Sequence, residues 1–174
     1  GMHRFGARRW IARILISWGV MATAMMLVWN ETSFYVIRFL LGAAEAGFFP
    51  AVLFYFTLWI PTAQRVAVLG LFVMAQPVAN AIGAPLSGLL LGMDGIWGLT
   101  GWQWMFLIQG LPAVVLGILA PRLLTDRPQD ATWLQPDERA WLTTVMDAEL
   151  ASKEAQHGHA FLAGLKDRRA WIYG

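Results

Sequence analysis

Four apolar runs of about 20 residues or more follow one another along this chain, separated by connections of only a few residues. They cover roughly 10–29, 34–59, 66–92 and 102–124, and "NETS" (30–33), "IPTAQR" (60–65) and "MDGIWGLTG" (93–101) join them. A helix needs about 20 mostly apolar residues to cross a ~30 Å hydrocarbon core. In lipid, only helices and closed barrels satisfy their own backbone hydrogen bonds. The expected fold class is therefore all-α membrane protein with four transmembrane helices. Composition agrees: 57% of the 174 residues are hydrophobic and 14% charged, against about 25% charged in soluble domains. The first run is not a secretory signal, being too long and lacking a small-residue cleavage site.

The thirteen basic residues are sorted. Arg4, Arg8, Arg9 and Arg13 precede or open the first run, Arg65 lies between the second and third, and Arg122, Arg127, Arg139, Lys153, Lys166, Arg168 and Arg169 lie at or beyond the end of the fourth. All fall on one side of a four-span hairpin pair, while the two opposite connections hold Glu31 and Asp94. The positive-inside rule then predicts that both ends of the segment are cytoplasmic. Trp29, Trp59, Trp97, Trp102 and Trp104 sit near span ends, as interfacial aromatics do. The cluster at Arg8, Arg9 and Arg13 reads as a topology determinant or an anionic-lipid contact. "NET" (30–32) fits a glycosylation acceptor only by chance in so short a connection.

The thirteenth basic residue, Arg38, lies inside the second run, in "RFLLGAAEAGFFP" (38–50), with Glu45. Charges near the bilayer centre cost about 2.5–3.5 kcal/mol each on insertion scales and are rarely kept without a partner, cavity or function. Seven residues apart, the two share a helix face and stand about 10 Å apart along the axis. One reading is an ion pair used for helix assembly. The functional reading gives Arg38 an anion to hold through its planar fork and makes Glu45 a proton carrier. In the third run, Gln76, Asn80, Gly83 and Ser87 form one polar stripe at helical spacing, for interhelical hydrogen bonds or for a cavity. Pro77 and Pro85 are expected to break the helix ladder beside it. Gly42, Ala43, Ala44, Ala46 and Gly47 offer a smooth face for close packing, and Gly110, Pro112 and Gly117 suggest a bend in the fourth run.

From about Thr125 the chain turns polar. Residues 125–170 read as a cytoplasmic loop containing an amphipathic helix that starts near Pro136 and carries Leu134, Trp141, Leu142 and Val145 as its apolar stripe. Residues 171–174 read as the start of another span, so the chain is expected to be part of a longer protein. It has no Cys, and its three His lie near the ends. No metal spacing, nucleotide-binding loop or hydrolase elbow occurs, so neither cofactor nor nucleic-acid partner is implied, and an enzyme is not expected.

Several stretches, in order, resemble the major facilitator superfamily. "FGARR" (5–9) resembles its cytoplasmic loop motif between the second and third helices, and "RFLLGAAEAG" (38–47) its fourth-helix arginine motif. "LWIPTAQR" (58–65), "IGAPLSG" (82–88), "GWQWMFLIQGLPAV" (101–114) and "DRPQDATWLQPDERAWL" (126–142) are similar to the anion:cation symporter branch, whose bacterial members carry tartrate, phthalate, hydroxyphenylacetate, galactonate and similar carboxylates. The resemblance implies helices 3–6 of a twelve-helix fold in the bacterial inner membrane, working with the remaining helices by alternating access on a small organic anion and protons. It implies substrate contact for Arg38, Gln76 and Asn80, proton coupling for Glu45, and a conformational role for Gly6, Arg8 and Arg9. His3 stands where the loop motif usually carries an acid. A facilitator or antiporter of the same superfamily, or a structural membrane subunit, are the competing readings.

Overall fold

The computed structural model describes residues 6–166, with side chains through Ser152. Among them are six α-helices: α1 (Ala7–Ala24), α2 (Glu31–Glu45), α3 (Phe48–Trp59), α4 (Thr62–Leu91), α5 (Gly101–Leu123) and α6 (Pro136–Lys166). By length and composition, four stretches can cross a membrane: Ala7–Leu27, Glu31–Trp59, Thr62–Leu91 and Gly101–Leu123. The chain start, residues 1–5, and the "AWIYG" end lie outside the described residues.

The second span is two helices. α2 ends on Glu45, and Ala46 and Gly47 keep near-helical backbone angles before α3 begins at Phe48. Pro50 is the cause. It has no N–H for the carbonyl of Ala46, and its ring crowds that carbonyl. Two residues on, it sits acceptably in the first turn of a new helix. The prolines of α4 act differently. α4 runs unbroken through Pro77 and Pro85, although each proline withholds the donor from the carbonyl four residues earlier, Val73 and Ala81.

The closest partnership is between α1 and α5, which are not neighbours in sequence. Small residues allow it. Gly117 packs on the backbone of Ala12 and Ile16, and Gly110 on that of Gly19 and Thr23. Gly42, by contrast, faces nothing within 4 Å among the described residues, while Gly47 meets Ile14. Among the described residues the closest backbone approach thus runs through the glycines of α1 and α5. A small apolar core of Ile11, Ile14 and Ala51, with Phe48, Tyr55 and Leu124 against it, joins α1 to α3. α4 meets its neighbours sparingly, and its most apolar window contains no buried residue.

The connections are held by local chemistry. Asn30 caps α2: its Oδ1 accepts from the Ser33 N–H at 2.7 Å, and Ser33 Oγ accepts in return from the Asn30 N–H at 3.1 Å. This gives "NETS" a structural use. At the same end Gln103 Nε2 donates to the Met26 carbonyl (3.0 Å) and Trp104 Nε1 to that of Ile96 (3.2 Å).

α6 opens at Pro136 with Asp137 and Glu138 in its first turn. Its inward stripe differs from the expected one. Leu142, Val145 and Met146 are partly or fully buried, whereas Trp141 is 60% exposed. Glu149 lies on the same inward face, and the reason is visible at the start of α4.

Candidate functional site

At the middle of the second span, α2, α3 and α4 border a cavity of about 660 Å³. Glu45 and Gln76 both line it, with Trp18, Phe48, Phe49 and Phe72 as its aromatic walls. Glu45 is the last of the 15 residues of α2, in a span of 29, which puts it at the span's centre. The break that follows it lets Phe48 and Phe49 turn toward the cavity beside it. Val73, whose carbonyl Pro77 leaves without its helical donor, lines the opposite wall. The site therefore combines a carboxyl and an amide in otherwise apolar surroundings.

Arg38 and Asn80 lie outside this lining. Arg38 is two turns from Glu45 on the same face, beyond Gly42. Asn80 is one turn beyond Gln76, next to Ala79, which does line the cavity. All four side chains are exposed on the four-span unit. At the far end of the polar stripe, Ser87 accepts a hydrogen bond from Gln109 Nε2 at 2.8 Å, joining α4 to α5. The stripe thus serves both of the uses open to it, cavity lining at Gln76 and interhelical bonding at Ser87.

The loop-motif residues meet at the end of the unit where the basic residues gather. Gly6 precedes α1 at φ 78°, in the left-handed region. A Cβ there would also lie 2.7 Å from Asp126 Oδ2, so glycine is required twice. Asp126 accepts from the Arg8 backbone N–H at 2.9 Å and pairs with Arg8 Nε at 3.1 Å. It caps the α1 N-terminus from across the bundle and neutralises the arginine beside it. Arg9 points away, exposed.

A second carboxylate repeats the device. Glu149 of α6 accepts from the backbone N–H of Thr62 (2.8 Å) and from its hydroxyl (2.6 Å), and pairs with Arg65 Nη2 at 3.6 Å. Between the two, the Thr125 carbonyl accepts from Tyr55 Oη (2.9 Å) and Trp59 Nε1 (3.1 Å), and Trp133 stacks on Trp59 with centroids 5.6 Å apart. Reading the sequence did not single out Asp126 or Glu149. Glu149 left a signal, an acid on the inward face of an amphipathic helix. Asp126 left none, since its partner is 118 residues away.

Long apolar helices packed through glycines, a broken span with a carboxyl at its centre, and a set of charges confined to one end define a multi-pass membrane protein of transporter type. Residues 2–172 match the model of the Major Facilitator Superfamily. The chain belongs to that superfamily, a family of transporters and not of enzymes. It is 50% identical over 97% of its length to a protein of Agrobacterium vitis provisionally named a tartrate transporter. It is 47% identical over 98% of its length to the "Quinolone resistance transporter" of Acinetobacter baumannii, and 40% identical over 98% to the "Inner membrane transport protein RhmT" of Escherichia coli. It spans 39% of the length of each of these three relatives.

Proposed function

We propose that this segment is the helix 3–6 portion of a bacterial inner-membrane transporter that carries a small organic anion by proton-coupled symport. The observation that carries the reading is the convergence of Glu45 and Gln76 on one mid-membrane cavity at a helix break. Midplane sites at discontinuous helices are where secondary transporters bind substrate and coupling ion. Glu45 is the proton carrier in this reading. Arg38 holds the anion's carboxylate as it enters along the same face, and Gln76 and Asn80 add hydrogen bonds. The exposed, apolar α4 is covered by the remaining helices of the full-length chain. The name borne by the Agrobacterium relative supports a carboxylate as cargo.

The test is uptake by the full-length transporter in proteoliposomes, over a panel of carboxylates, with and without an inward proton gradient. At least one carboxylate should accumulate, and a protonophore should abolish the accumulation. Accumulation that ignores the protonophore would refute symport with protons. In the same assay Arg38→Lys should weaken apparent affinity by about tenfold or more, the worth of one charge-assisted hydrogen bond, because lysine keeps the charge and loses the fork. Parental affinity in that variant removes Arg38 from the site.

In this reading both ends of the segment face the cytoplasm. Ser152→Cys, at an exposed position near the end of the described side chains, should resist a membrane-impermeant thiol reagent in intact cells and react in inverted vesicles. Labelling in intact cells reverses the orientation.

A further inference from the structure

Among the arginines at the basic end of the unit, Arg8 pairs with Asp126 and Arg65 with Glu149. Arg9 and Arg13 are exposed and form no ion pair among the described residues. They are one turn apart on α1, and the guanidinium of Arg13 lies 4.0 Å over the ring of Trp10, which fixes its height. Both border the head of an open groove of about 440 Å³ that runs along α1 and meets α5 at Pro121.

Below the arginines the groove is apolar, lined by Ala12, Ile16 and Val20 of α1, while Pro121 of α5 stands at its head. Ser17 also borders it, but its hydroxyl donates to the Ile14 carbonyl at 3.1 Å and offers little to a ligand. From Arg9 to Val20 the groove follows α1 for about 16 Å at 1.5 Å per residue. That matches one leaflet, half of a hydrocarbon core about 30 Å thick. Two unpaired cations at one end and an apolar slot one leaflet deep have the charge and shape of one kind of molecule.

The geometry points to a bound anionic phospholipid, with its phosphate between Arg9 and Arg13 and one acyl chain along Ala12, Ile16 and Val20. A zwitterionic lipid would bring its own cation to the two guanidiniums and gain less. A free phosphate would leave the slot unused.

The test uses the full-length transporter, purified in detergent, stripped of lipid and offered equal amounts of phosphatidylglycerol and phosphatidylcholine, with bound lipid read by native mass spectrometry. The parent should retain phosphatidylglycerol in preference. Each basic residue near an anionic surface contributes about fivefold, so Arg9→Gln with Arg13→Gln should lower that preference by about twentyfold or more. Arg9→Lys with Arg13→Lys should keep most of it. Because these arginines also bias insertion, Ser17→Phe supplies a second arm that leaves both charges in place and fills the slot; it too should lose phosphatidylglycerol. The inference is overturned by a parent without preference, by an unchanged preference in the double Gln variant, or by undiminished retention in Ser17→Phe. Displacement of the lipid by excess inorganic phosphate would equally overturn it, because the acyl slot would then contribute nothing.

Discussion

Glu45→Gln in the full-length transporter should leave substrate exchange intact and abolish accumulation. Gln keeps the size of the side chain and much of its hydrogen bonding, and it holds the site permanently uncharged. A site that no longer changes charge can still bind, reorient and release. In the proposed reading it loses the step by which a proton taken up on one side is delivered on the other, and with it the linkage between the two gradients. Counterflow in proteoliposomes should therefore run near the parental rate, while uptake driven by a proton gradient should fall to simple equilibration. The position of Glu45 sharpens this expectation: it ends α2 at the centre of the span and lines the same cavity as Gln76. Concentrative uptake by the variant at the parental level would move proton coupling to another residue and return Glu45 to helix assembly.

The second large effect concerns stability. Gly117→Val should prevent the full-length protein from reaching a stable fold, or lower its melting temperature sharply. A Cβ on Gly117 would stand 2.6 Å from Ile16 Cγ1, 2.8 Å from the Ile16 backbone nitrogen and 3.0 Å from the Ala12 carbonyl oxygen. A side chain can rotate away; the two backbone atoms cannot. α1 and α5 would have to part along their main contact. Helix association in lipid depends on such close approach, since no hydrophobic gain replaces it. Overpacking costs about 1–3 kcal/mol and occasionally more, and a clash with backbone belongs at the upper end. Fluorescence-detected size-exclusion chromatography after heating reads the outcome, with Gly117→Ala expected between parent and Gly117→Val. Parental melting of Gly117→Val would mean that α1 and α5 are not tightly packed.

What could be read from the sequence was local in its physics. Apolar length marked the spans, and the sorting of arginines marked one end, because each signal needs only neighbouring residues. The break in the second span was also written locally, in Pro50. Pro77 and Pro85 mark missing ladder bonds in the same way, yet α4 continues through both. A proline tells where a hydrogen bond is missing, not how far the helix bends. Partnership between spans was not legible. Gly42 and Gly117 look alike in a row of letters, and only the fold decides which of them has a backbone opposite. The same holds for Asp126, which acquires its role from a helix start 118 residues earlier. Of the site, the residue types and their helical spacing were readable. That Glu45 and Gln76 share a cavity while Arg38 and Asn80 stand outside its lining needed coordinates.

The pairing of α1 with α5 has a consequence for biogenesis. α1 is made before the other three spans, and its principal partner is made last. On leaving the insertion machinery α1 has its glycine-lined seam open, and nothing synthesised next is shaped to close it as α5 is. Contacts of such long sequence separation form late, because the intervening chain must first be closed into a loop. The bond from Asp126 to Arg8 comes later still, once the ribosome has passed the end of α5. The order of synthesis thus leaves this seam incomplete until α5 emerges: a nascent chain arrested before Gly101 would lack the helix that binds α1 most closely. Such a chain is a natural substrate for membrane quality control.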